Sequence, residues 1–200
     1  MKIFSSLIAV VFQSILALDL HEIQSLTHWE TLQTDDIKVS WKMVQGFPIS
    51  RAETIFYHPI QNVALLVQDL DHYPDIFDRV TSTNRLEENI VQIVLDMPFP
   101  FDGRDYIVQY TIETQNNNWI FSYSSIEHPN GILETNHVRL PNAAGIWILT
   151  KLNESQTKIV YAWNGELLGN FPNFGLTRAW VVQGTEVLNW LDKSLSNLDN

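Results

Sequence analysis

Apolar positions change their spacing three times along this chain. From Pro59 onward, Val63, Leu66, Val67 and Leu70 recur at three- and four-residue intervals, with proline at a first helical position. A second short helix carries Tyr73, Ile76 and Phe77. Beyond it the period drops to two, which predicts strands over 80–88, 90–96, 104–114, 118–126, 132–140, 144–152 and 157–165. Turn-rich separators lie between them: QNNN at 115–118, HPNG at 128–131, LPNAAG at 140–145 and NESQ at 153–156. Connections this short favour antiparallel neighbours. Ahead of the helices, 36–44 and 50–57 read as two strands around a turn near Gly46–Pro48. Residues 18–34 read as a lead-in with a short helix over 21–34. The helical period returns in NFGLTRAWVVQGTEVLNWLDKSLSNL, where Trp180, Gly184, Val187, Leu188, Leu191 and Leu195 share one face.

This order predicts an α+β fold. A curved antiparallel sheet that grips a long C-terminal helix, with two short helices after the second strand, would bury that helix's apolar face. It would also leave space between helix and sheet.

Composition narrows the function. The chain has 200 residues, 45% hydrophobic and 18% charged, enough for a full core without cross-links. It contains 7 Trp, 10 Phe and 6 Tyr, which call for a large core or a pocket to line. A net charge of −11 with only 12 Lys and Arg argues against nucleic acid and against attraction to an anionic membrane surface. Transient membrane contact through apolar loops stays open. Residues 1–17 read as a signal peptide: Lys2 precedes an apolar run, with cleavage expected after Ala17. The run is short for a membrane span. A secreted or periplasmic protein follows, with residues 35–198 as its domain and a monomer expected. Cysteine is absent, so no disulfide scaffold exists.

Three stretches carry a family resemblance: PFPFDGRDYIV at 98–108, GIWIL at 145–149, and TKIVYAWNGELLGNFP at 157–172. In this order and spacing the chain resembles the START (StAR-related lipid-transfer) domain family of the helix-grip, Bet v1-like (SRPBCC) superfamily. The last stretch matches the family's acidic residue, glycine and apolar–Pro step at Glu166, Gly169, Phe171 and Pro172. The resemblance implies a helix-grip fold with a lipid or other hydrophobic small molecule between sheet and helix, for carriage or transfer, and no cofactor. One departure stands out. Some cholesterol-binding relatives carry a buried arginine six residues after the Arg of the Arg-Asp-aromatic motif, paired with an acid. Here those positions hold Tyr110 and, near the acid's place, Val91. A tyrosine could still hydrogen-bond a ligand hydroxyl.

Strand alternation puts Arg104, Tyr106, Val108 and Tyr110 on one face, taken as the concave one. Arg104 is expected at the strand end, either tying down the Pro-rich turn or contacting a ligand head group. The expected cavity lining is Arg104, Tyr106, Tyr110, Trp119, Phe121, Tyr123, Trp147, Tyr161 and Trp163 from strands, with Trp180, Gly184 and Leu188 from the helix. The resemblance places a mobile loop at 127–134, so Asn130 and Gly131 together with Phe171 and Phe174 are the expected gate. Enzyme signals are thin. The six histidines show no metal spacing, and no nucleophile elbow or phosphate loop occurs. The alternatives are a cofactor-free cyclase, aromatase or hydrolase using Tyr110, His128 or Glu166, or a ligand-sensing interaction module.

Overall fold

The computed structural model describes residues 18–198. The signal peptide expected at 1–17 lies outside them. After a single 3-10 turn at His21–Ser25 the chain forms strand β1 (Glu30–Thr34), then β2 (Lys38–Val44) and β3 (Phe47–Phe56). Helix α1 (Ile60–Gln68) and the one-turn α2 (Tyr73–Ile76) follow. Next come β4 (Val80–Glu87), β5 (Ile90–Leu95), β6 (Gly103–Gln115), β7 (Asn118–Ser125), β8 (His137–Arg139), β9 (Ala144–Asn153) and β10 (Gln156–Asn164). The 23-residue helix α3 (Leu176–Leu198) closes the chain. The main strands lie in the order β1-β2-β3-β10-β9-β7-β6-β5-β4, all antiparallel, with β8 parallel to β6 off that path. This is the α+β helix-grip fold that the periodicity and the resemblance predict.

Two expected elements change. The lead-in helix over 21–34 is a single 3-10 turn followed by a strand. His28 takes a positive φ of 60°, which no continuing helix accommodates, and Glu30–Thr34 pairs with β2 instead. The apolar spacing that suggested a helix serves another purpose. Leu18, Leu20 and Ile23 are buried against Ile49, Ile146, Ile148 and Ala162, with Leu26 and Trp29 beside them, so this strap covers the convex face of the sheet. The expected strand 132–140 shrinks to three residues, because Asn136 at φ 61° turns the chain before pairing begins.

Both sheet faces are therefore covered, which explains why β9 reads as an unbroken apolar run. Ile146 and Ile148 point to the strap, whereas Trp147 and Leu149 point to the helices. The β2–β3 connection is a tight hairpin in which Gln45 and Gly46 both have positive φ, so Pro48 falls inside β3 and not in the turn.

Helix α3 packs on the concave face. Trp180, Gly184, Leu188, Leu191 and Leu195 form its buried stripe. A Cβ on Gly184 would sit 3.0 Å from the Ala52 Cβ and from the Trp163 ring, so glycine is what lets the helix lie this close to β3. The Trp180 indole N–H donates to the Gly165 carbonyl at 2.8 Å, fixing the start of the helix to the end of β10.

Candidate functional site

The Arg104–Asp105 pair at the start of β6 positions the site. Alternation sends the two side chains to opposite faces, and both are fully buried. Arg104 donates to four carbonyls: Asp102, Gly103 (3.1 Å), Leu167 and Leu168 (3.1 Å). It thus clamps the segment between β10 and α3, where Leu168 and Gly169 both hold positive φ. Burial lowers the Arg104 guanidinium from its ordinary pKa, with Asp102 acting in the opposite direction. The tie to the Pro-rich turn is the role that the geometry supports, and the guanidinium's donors point at backbone oxygens. On the other face Asp105 accepts two hydrogen bonds from Arg139, one of them at 2.7 Å, and one from Gln92 at 2.7 Å. Gln92 and Arg139 in turn hold the carbonyls of Ile132 and Gly131.

That second cluster relocates the expected gate loop. Asn130 and Gly131 lie on the convex side, where a Cβ on Gly131 would strike the outward-facing Ile107 at 1.9 Å. Neither lines the cavity. The cause is the buried Asp105 carboxylate, which needs the donors that the loop's anchor residues supply.

Between the concave face and α3 lies a cavity of about 400 Å³, within the range of small-molecule sites. Arg104, Tyr106, Phe121, Tyr123, Trp147, Tyr161 and Trp163 line it, as does Phe171. Five expected lining residues do not. Tyr110 lies past the cavity's end, donating to the Glu88 carbonyl and accepting from Arg85, each at 3.0 Å. Trp119 stacks on the far side of Phe121. Trp180, Gly184 and Leu188 belong to the tight helix–sheet contact. The helix flank that faces the cavity is instead Val182, Gln183, Glu186 and Val187, about a third of a turn away.

The aromatic walls form a continuous series. Trp147, Tyr161 and Trp163 stack at 4.2 and 4.8 Å between centroids, and Tyr106 lies parallel to Tyr123 at 6.4 Å. Gly145 of the GIWIL stretch permits this, because a Cβ there would meet the Tyr123 ring at 2.3 Å. Burial raises the pKa of Tyr73, Tyr106, Tyr123 and Tyr161, so all four phenols stay neutral.

The loops add lining residues that were not among the expected ones. Met97, Pro98 and Phe101 come from the β5–β6 loop, and Leu140 and Ala143 from the loop before β9. Phe101 stacks on Phe171 at 4.6 Å. Phe174, expected beside it in the gate, is 91% exposed and points outward, as does Phe99 at 97%. The sequence signal available was the proline-flanked phenylalanines on both segments. Polar groups line the cavity too. Arg79 makes a two-point pair with Glu186 at 2.7 and 2.8 Å, and Asn142 and Asn164 donate to Glu166. His128 sits outside, against Glu87 at 3.2 Å. Among the described residues no group of three or more His, Asp or Glu converges as a metal site would require, and no helix is long and apolar enough to cross a membrane.

No protein-family model matches the chain. A curated relative, the uncharacterized protein PA1579 of Pseudomonas aeruginosa, is 26% identical over 88 residues; the match spans 44% of this chain and 43% of that relative. Solved structures agree far more extensively in shape. Human StAR-related lipid transfer protein 5 superposes with a TM-score of 0.79 at 15% identity, covering 90% of this chain and 92% of its own. The STAR-related lipid transfer protein of Xanthomonas axonopodis gives 0.72 at 18%, covering 85% and 99%. The Zhui aromatase/cyclase of Streptomyces sp. R1128 gives 0.55 at 15%, covering 76% and 95%. The chain has a START-like, helix-grip fold. Its structural neighbours include both lipid-transfer domains and aromatase/cyclases.

Proposed function

We propose that this protein holds one lipid or other hydrophobic molecule between the sheet and α3 and carries or transfers it. The observation that carries this reading is the apolar, ring-lined cavity, whose arginines at 79 and 104 already have protein partners. Burying an acyl chain is favourable by about 0.8 kcal/mol per CH₂, and a bilayer offers the same gain. A carrier therefore needs to match the membrane and lower the barrier to exit, which a pocket with few charges suits. Phe99 and Phe174, exposed and close in sequence to the lining residues Phe101 and Phe171, would make transient membrane contact as the protein, a monomer, loads. We place it outside the cytoplasm, on the signal-like residues 1–17. Native mass spectrometry of protein exported from its own kind of host, followed by solvent extraction, tests the reading. A stoichiometric lipid is expected; an empty protein that takes nothing from offered lipid mixtures overturns it.

One observation favours a second reading. Glu166 lines the cavity with its carboxylate oriented by Asn142 and Asn164, as a cyclase- or hydrolase-like base would require. Of the three residues considered for catalysis, it alone lies there. Turnover of a cavity-bound polyketide-like or ester substrate, lost in Glu166→Gln, would establish it.

A further inference from the structure

The cavity contains hydrogen-bonding capacity that the protein leaves unused. The Tyr106 hydroxyl has no hydrogen-bond partner among the described residues, and its half-buried ring lines the cavity. The Tyr123 and Tyr161 hydroxyls share a single long contact of 3.4 Å, and Gln183 lies beside the Tyr161 oxygen. Tyr73 differs: its hydroxyl donates to the Val67 carbonyl at 2.6 Å. Each phenol can both donate and accept, so three adjacent phenols with one weak bond between them are short of saturation. A hydroxyl that faces a cavity without a protein partner needs one from whatever fills the cavity. Across a cavity that holds a ligand, the ligand supplies the partner.

Charge decides which ligand. The cations on the cavity wall are Arg79, Arg104 and Arg178. Arg79 is paired with Glu186, Arg104 is surrounded by four carbonyls, and Arg178 is exposed. An ionised head group beside the phenols would lose its hydration uncompensated, since Arg79 and Arg104 are engaged by protein oxygens and Arg178, the one unengaged cation of the wall, stays exposed to solvent. A neutral oxygen would lose little and gain donors. Raised by burial, the phenols remain neutral donors at any physiological pH.

Resting on the lipid-binding reading above, we propose that the Tyr106–Tyr123–Tyr161 cluster recognises a neutral oxygen, a hydroxyl or carbonyl, on an uncharged lipid. Lipids whose only polar group is ionised bind less well.

The test is displacement of N-phenyl-1-naphthylamine from the full protein by four C18 probes sharing one chain: oleyl alcohol, monoolein, oleic acid at pH 8, and 9-octadecene. The alcohol and monoolein should bind about tenfold more tightly than the acid. Tyr106→Phe and, separately, Tyr161→Phe should weaken the alcohol about three- to tenfold, the range of one neutral hydrogen bond, and leave the hydrocarbon unchanged. Tyr110→Phe, outside the cavity, should change neither. Thermal unfolding of each variant confirms that the fold is kept. If the acid matches the alcohol, or if Tyr→Phe weakens alcohol and hydrocarbon alike, the neutral-oxygen site is wrong while lipid carriage stands. If neither dye nor any probe binds, the carrier reading falls and takes this inference with it.

Discussion

Helix α3 meets the sheet on two flanks that follow opposite packing rules. On one, Leu188 and Leu191 are fully buried and Gly184 brings the helix backbone to within a methyl's width of β3. On the other, Val182, Gln183, Glu186 and Val187 face Tyr106, Phe121 and Tyr123 across open space. The first flank interdigitates small against large. The second sets large rings with polar tips on a sheet that curves away from the helix, so they stack on one another instead of filling the gap. Apolar character alone does not make a core; shape at the crossing does.

The strongest way to break this contrast is to truncate one residue on each flank. Leu188→Ala should cost about 2–5 kcal/mol, because its neighbours are held by the strands beneath and cannot collapse into the void. Val187→Ala should cost about 1 kcal/mol or less, since part of its surface already lacks packed neighbours. Denaturant titrations with unchanged slopes would report both. Equal costs would mean that the cavity side is as well packed as the other.

Overfilling gives the next effect. Gly184→Val should destabilise by about 1–3 kcal/mol despite removing a helical glycine, a change whose propensity gain for β-branched valine is about half a kcal/mol. Gly184→Ala should cost less but keep the same sign. Coupling it with Ala52→Gly, which removes the opposing Cβ at 3.0 Å, should recover part of the loss. Strict additivity of the two would show that close approach is not the reason for the glycine.

How far the sequence foretells this follows from which periodicity carries the information. A period of two assigns each strand residue to one face, so Phe121, Tyr123, Trp147, Tyr161 and Trp163 are correctly read as inward-facing. A helix has no such binary. Periodicity points its most apolar stripe at a ligand, but that stripe goes to the tightest contact and the cavity takes the flank beside it. Tyr110 shows the limit of alternation: it lies on the right face yet beyond the cavity, held by Arg85 and Glu88 of the neighbouring hairpin. Loop 127–136 was illegible for a different reason. Its position depends on Asp105, Gln92 and Arg139 meeting from three separate segments, and no local pattern encodes that. Residues 18–29 mislead because three-residue apolar spacing suits a strap over strands as well as a helix.

The smallest effect is the one that closes the open flank. Where packing does not hold α3 to the sheet, the Arg79–Glu186 pair does, joining the chain just before β4 to the middle of the helix. Both side chains are about 30% exposed, so screening limits the pair. Glu186→Gln should lower global stability by about 1 kcal/mol or less. Its consequence for opening should be easier to see than its consequence for folding. A helix held on one flank by side-chain packing and on the other by a screened ion pair should loosen first on the ion-pair side. Native-state hydrogen exchange should therefore quicken in Glu186→Gln near the start of β4 and over the middle of α3. The same amides should quicken in the unmodified protein as salt is raised, while β2 and β3 stay protected. Exchange that accelerates equally across β2, β3 and β4 would show that the two flanks are one cooperative unit, and the division between them would have to be given up.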